Sequence, residues 1–163
     1  MSPHSPVATL YFVVTIAIAM ALRIMSPVYG IDEYNPDWIV LVLIYWSIAL
    51  PERFGVFTAW MIGLLTDVLT GRLLGQYGLV YAILVYFSIK EHRRLRQFPL
   101  PQQCLFVLCC LFGGQCLIFG IESMQATANR LTLAFWYPAI TGTLVWPLVF
   151  VVLRAIRVLA RLS

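Results

Sequence analysis

The chain has 163 residues, 61% of them hydrophobic and 11% charged, with a mean hydropathy of +0.88 and a formal net charge of +4. Soluble domains carry about a quarter of their residues as charged side chains, so this composition excludes a soluble globular protein and points to an integral membrane one. Spans of roughly 20 residues each would consume most of the length, and the basic residues border apolar runs, where they orient membrane segments rather than bind nucleic acid.

The first apolar segment covers residues 7–24, after the Pro-punctuated start MSPHSP. It is long enough to cross a hydrocarbon core of about 30 Å. Ala19-Met20-Ala21 has the shape of a signal-peptide cleavage site, but no Lys or Arg precedes the apolar run, which favours an uncleaved span with Arg23 at its far end. An acidic connector with Asp32, Glu33 and Asp37 leads to a second span over residues 36–50, apolar from Trp38 onward and stopped by Pro51. Asn35 as N-cap, Pro36 at the first helical position and Asp37 in the first turn supply its start signals. So short a span implies either local bilayer thinning or packing among neighbours.

A third span over 54–69 and a fourth over 73–89 follow. A single helix through both would be about 54 Å long, more than any bilayer, so the chain folds back at Thr70-Gly71-Arg72. Within this stretch one carboxylate, Asp67, interrupts an apolar run, and Gly63, Asp67 and Gly71 recur at i, i+4 and i+8 on one helical face. An aspartate near a bilayer centre costs about 2.5–3.5 kcal/mol on insertion scales, so that face must meet protein. The pattern reads as a helix-packing seam with a polar lock, and places Asp67 within reach of Arg72, Arg23 and Arg130. A proton or ion relay needs further ionisable groups across the membrane, and the other spans supply none, so a cap or an ion pair is the favoured role.

The stretch 90–103, KEHRRLRQFPLPQQ, is a basic connector. A fifth span covers 104–121, with Gly113, Gly114 and Gly120 as notches for close helix approach. The sixth covers 133–153, opens with Phe135-Trp136-Tyr137, and contains Pro147, which removes a backbone donor and is expected to kink it. Arg154, Arg157 and Arg161 then form a basic stripe suited to anionic lipids. The six-span arrangement puts eight Lys and Arg on one side and three on the other, which places both termini in the cytoplasm.

Chemistry finds little support. Cys104, Cys109, Cys110 and Cys116 all lie in one apolar segment without a CxxC pair, and His4 and His92 are far from them and from each other, so no metal site is expected. No nucleophile stands beside a base, no carboxylates pair, and no phosphate-binding loop precedes a lysine; the expectation is a protein without catalytic residues or a cofactor. Tyr45, Trp46, Tyr77, Tyr81 and Tyr86 suit either a pocket for a flat ligand or, as favoured here, interface belts and core filling.

Asn35-Pro36-Asp37-Trp38, Leu43-Ile44-Tyr45-Trp46, Ala49-Leu50-Pro51 and Gly63-Leu64-Leu65-Thr66-Asp67-Val68-Leu69-Thr70-Gly71 followed by Leu74-Gly75 form an ordered set. Together they resemble the MreD family of rod shape-determining membrane proteins, over roughly residues 35–103 and weakly around Leu144-Val145-Trp146-Pro147. The resemblance implies an all-α integral membrane protein, one transmembrane domain over residues 1–163, similar in architecture to the substrate-binding S-components of energy-coupling-factor transporters. It further implies a non-enzymatic inner-membrane scaffold of the bacterial elongation complex, supporting lateral peptidoglycan synthesis and cell shape. The implied direct partner is MreC, a single-span protein; MreB, RodZ, RodA and the elongation transpeptidase would complete the assembly. Pro36, Trp38, Tyr45, Trp46, Pro51, Gly63, Asp67, Gly71 and Gly75 are the expected partner-binding or helix-packing residues, with the 38–50 span and the 63–75 hairpin either holding the partner's helix or shaping the groove that does. The alternative is a substrate-binding membrane subunit of a small-molecule transporter.

Overall fold

The computed structural model describes residues 6–25, 34–124 and 133–159, and all regular structure among them is helical. The helices are α1 (Pro6–Met25), α2 (Trp38–Ala49), α3 (Val56–Thr70), α4 (Gln76–Lys90), the short α5 (His92–Leu95), α6 (Leu100–Met124), a 3-10 turn (Leu133–Trp136) and α7 (Tyr137–Leu159). Three are long and apolar enough to cross a membrane, Val7–Met25, Leu100–Met124 and Tyr137–Leu159, and α2 and α3 are shorter apolar helices. The long helices keep most of their surface outside the protein core. Apolar side chains left outward in this number mark a protein that lives in lipid.

α2 is the centre. Ten of its twelve residues are buried, and it packs against α1, α4, α5 and α7. A helix that is apolar all round has no face to offer water, so it takes the position where every face meets protein. At 12 residues it is about 18 Å long, and its shortness is met by packing among neighbours. Its core is aromatic: the ring of Trp46, wholly buried, meets Phe12 and Phe54 edge-on, and Phe12 stacks on Phe54 at 3.9 Å. The Trp46 indole N–H donates to Thr15 Oγ1 at 3.1 Å, which satisfies the one polar atom that such burial carries inward.

Several boundaries move from the sequence expectation. Asp37, not Asn35, is the N-cap of α2: its side chain accepts from the N–H of Val40, three residues on, while Asn35 Oδ1 accepts the indole N–H of Trp38 at 2.8 Å. Pro36 therefore lies before the helix. α4 starts at Gln76 rather than 73, because the chain needs a left-handed residue at Gly75 before it can turn upward. The stretch 90–103 is mostly helical rather than a loop. Buried Leu95 pins α5, Pro101 sits in the first turn of α6 where its missing N–H costs nothing, and Gln103 Nε2 donates to the carbonyls of Leu95 and Phe98. α7 runs on through Pro147 and past 153 to Leu159.

Candidate functional site

The end of the bundle where α3 turns into α4 holds most of the polar chemistry. α3 buries only Ala59, Gly63, Thr66 and Asp67, a narrow stripe of mostly small residues that faces α4. The two backbones come together at Gly63 and Gly78: a Cβ on Gly63 would lie 2.5 Å from the Cα of Gly78. Only glycine allows that approach.

Asp67, fully buried, works across this contact. Its Oδ1 accepts the N–H of Tyr77 at 2.9 Å, and its Oδ2 accepts those of Gly75 at 2.9 Å and Gly78 at 3.3 Å. These are donors that the first turn of any helix leaves without an internal partner, at the end where the helix dipole favours negative charge. Asp67 on α3 thus does for α4 what an N-cap side chain does for its own helix, since Gly75 has no side chain to offer. The expected cationic partners are engaged elsewhere. Arg23 pairs with Asp37 at 2.8 Å, Arg72 pairs with Glu122 at 2.7 Å, and Arg130 lies outside the described residues. Three backbone donors that arrive with the helix start satisfy the carboxylate without desolvating a second ion.

Gly71 and Gly75 are not notches. Gly71 closes α3 at φ +64° and Gly75 opens α4 at φ +96°, and an added Cβ at either would meet nothing within 4 Å. Both supply backbone conformation at the turn, which ends the helical register before Gly71 can join the face of Gly63 and Asp67. Of the α6 glycines, Gly114 faces Leu84 and Val80, whereas Gly113 and Gly120 face open space.

Beside the hairpin, Arg23 joins three helices. Its Nη1 contacts Asp37 Oδ2, its guanidinium lies 4.4 Å over the ring of Tyr77, and the Tyr81 hydroxyl donates to Asp37. The Arg72 guanidinium also lies 5.7 Å from the centre of the Tyr77 ring and reaches Glu122 on α6, to which Gln76 also donates. Arg23, Asp37, Arg72 and Tyr77 border a cavity of about 650 Å³ whose lining also includes the apolar Val40, Val80, Leu84, Leu111 and Ile118.

The nine expected residues do not converge. Pro36 is buried next to Gly142, where a Cβ would lie 3.6 Å from the proline ring; Trp38 is half-buried nearby; Gly63, Asp67, Gly71 and Gly75 form the hairpin at the same end. Tyr45, Trp46 and Pro51 belong to the opposite half of α2 and the turn after it. α2 is covered by its own neighbours over most of its surface, with ten of its twelve residues buried. The five candidate pocket aromatics are likewise dispersed: Tyr77 borders the large cavity, Tyr45 a smaller one, and Tyr86 is exposed. Sequence reasoning missed Gly78, Gly142, Arg23 with Asp37, and Arg72 with Glu122. Gly78 was within reach, because a hairpin turning at Thr70-Gly71 sets position 63 opposite position 78. Among the described residues no three His, Cys, Asp or Glu side chains converge as metal ligands.

Residues 5–156 match the family model described as rod shape-determining protein MreD. The chain is also 34% identical, over 144 residues and 86% of each protein, to the rod shape-determining protein MreD of Haemophilus influenzae. No solved structure matches it.

Proposed function

This chain belongs to the MreD family of rod shape-determining proteins, a membrane protein with a role in cell shape, and we propose that it acts there as a non-enzymatic adaptor that grips the transmembrane helix of a single-span, MreC-like partner. The observation that carries this is the position of α3. It makes substantial contact with the bundle only through α4, and the ridge opposite its buried stripe, Phe57, Met61, Leu65 and Val68, is exposed and apolar. Helices associate in lipid by close packing along such ridges. An amphiphilic loop or extramembrane domain is not needed for specificity when a helix face supplies it.

In this reading α1, α2, α3, α4, α6 and α7 each cross the bilayer, with both termini in the cytoplasm and the α3–α4 hairpin at the outer face. The architectural likeness to energy-coupling-factor S-components that the family resemblance implies would concern arrangement alone and carry no activity. MreB, RodZ, RodA and the elongation transpeptidase would be reached through the partner, in support of lateral peptidoglycan synthesis in the bacterial inner membrane.

A second reading, a substrate-binding subunit of a small-molecule transporter, draws on the cavity of about 650 Å³, a size that suits small ligands. Purification of the tagged protein from native membranes in mild detergent, with mass spectrometry of proteins and small molecules, separates the two. Stoichiometric recovery of a single-span coiled-coil protein is the expected result. Recovery of ATPase subunits or a tightly held metabolite would overturn the adaptor reading in favour of the second.

A further inference from the structure

The opposite end of the bundle contains a smaller cavity, about 290 Å³, between the last turn of α2, the start of α6 and the second half of α7. Three buried polar atoms have no hydrogen-bond partner among the described residues: Tyr45 Oη, Gln103 Oε1 and Trp146 Nε1. All three residues line this one cavity. Proteins leave few buried polar groups unpaired, and three on one wall mark a place that expects a polar occupant.

The charge on the wall is one-sided. Arg96, Arg154 and Arg157 line it and no carboxylate does. Arg96 is partly spent, since its Nε and Nη2 donate to the carbonyls of Ile48 and Ala49 at the end of α2. Arg154 and Arg157, three residues apart on α7, form no ion pair among the described residues. Guanidinium groups with unspent donors recognise carboxylate or phosphate oxygens, and at a membrane surface the phosphates of anionic lipids are the abundant anions.

The three orphaned atoms narrow the chemistry further. The Trp146 indole N–H can only donate, so it needs an acceptor, which a phosphate oxygen supplies. Gln103 Oε1, a carbonyl oxygen, can only accept, and the amide nitrogen beside it is already committed to the carbonyls of Leu95 and Phe98; the oxygen needs a donor that a bare phosphate diester lacks. A hydroxyl beyond the phosphate provides that donor, and Tyr45 can serve either partner. Ile48 and Phe150, both half-buried, complete the lining with apolar surface, against which the start of a hydrocarbon chain can lie.

We infer that this cavity is a binding site for the head group of an anionic phospholipid, a phosphodiester that carries a free hydroxyl, with the phosphoglycerol group as the best fit. Trp146 and the arginines hold the phosphate, Gln103 accepts from the hydroxyl, and the acyl chains start against Ile48 and Phe150. The site is independent of the adaptor reading, since it uses neither α3 nor a protein partner.

The test uses the full-length protein, delipidated in a maltoside detergent and titrated with dioctanoyl phosphatidylglycerol under native mass spectrometry. Dioctanoyl phosphatidylcholine and glycerol 3-phosphate are the comparison probes. One phosphatidylglycerol should bind saturably, about tenfold tighter than phosphatidylcholine. Trp146→Phe, which keeps most of the ring volume and removes the N–H, should weaken it several-fold, and Arg154→Gln with Arg157→Gln about tenfold. Should Trp146→Phe not purify as a single folded species, Tyr45→Phe replaces it, with a several-fold loss expected. Equal affinity for phosphatidylcholine, or variants that bind like the parent, would overturn the assignment. Glycerol 3-phosphate binding as tightly as the lipid would overturn the membrane as the source and leave a soluble phosphate in its place.

Discussion

α2 and α3 are built from similar apolar residues and meet opposite fates. α2 buries ten of its twelve residues, whereas α3 buries four of its fifteen. In water that contrast would show in the sequence as a polar face on the exposed helix. In lipid it does not, because hydrocarbon accepts the same side chains that a protein core does. What distinguishes the two is the size of the residues at the protein contact. α2 fills its surroundings with Trp46, Tyr45 and Ile44, while α3 touches the bundle through Ala59, Gly63 and Asp67. One helix is a core element and the other is a clip, joined by backbone contact and one carboxylate.

The sharpest way to break this comparison is to truncate one tryptophan on each helix. Trp46→Ala should cost about 3–5 kcal/mol of stability, because it empties a fully enclosed site and removes the hydrogen bond to Thr15. Trp60→Ala, on the exposed part of α3, should change stability by only about 0.5 kcal/mol. Unfolding in denaturing detergent reads both, and equal losses would erase the distinction between core and clip.

Next in size are changes to the clip itself. Asp67→Leu strands three backbone N–H groups and should cost about 3 kcal/mol or more, each buried orphan being worth about 1–3 kcal/mol. Asp67→Asn retains one acceptor oxygen and should cost about half as much. Equal loss in the two variants would mean that charge, and not capping, is what the position supplies. Gly63→Ala forces a methyl into the backbone of α4 and should cost about 1–3 kcal/mol by overpacking.

The smallest expected effect belongs to the turn. Gly71→Ala meets no atom but must hold φ near +64°, a left-handed conformation that costs a residue with a Cβ about 1–2 kcal/mol. Its loss in a thermal-unfolding assay should stay below that of Asp67→Leu; a larger loss would show that the site of Gly71 makes a packing contact after all.

Much of this was legible in the chain. The apolar segments, the turn at Thr70-Gly71 and the importance of Asp67 follow from hydropathy, helix length and one carboxylate out of place. The partners of the charges were not. Arg23 and Asp37 sit 14 positions apart with a connector between them, and only the packing of α1 on α2 decides that they meet each other rather than Asp67. Nor could spacing separate Gly63 from Gly71: both fall on one face of an ideal helix, but the helix ends at Thr70. Periodicity assumes the element continues, and a turn residue is where that assumption fails.

The central claim, that the outer ridge of α3 receives a partner's helix, is tested most directly by a photoreactive residue. A benzoylphenylalanine placed at Met61 on α3, and at Val13 on the exposed face of α1, can be crosslinked in living cells and the adducts identified by mass spectrometry. The account predicts an adduct between position 61 and the transmembrane helix of a single-span protein, and none from position 13. A partner that co-purifies with the chain yet crosslinks only from position 13 would contradict it.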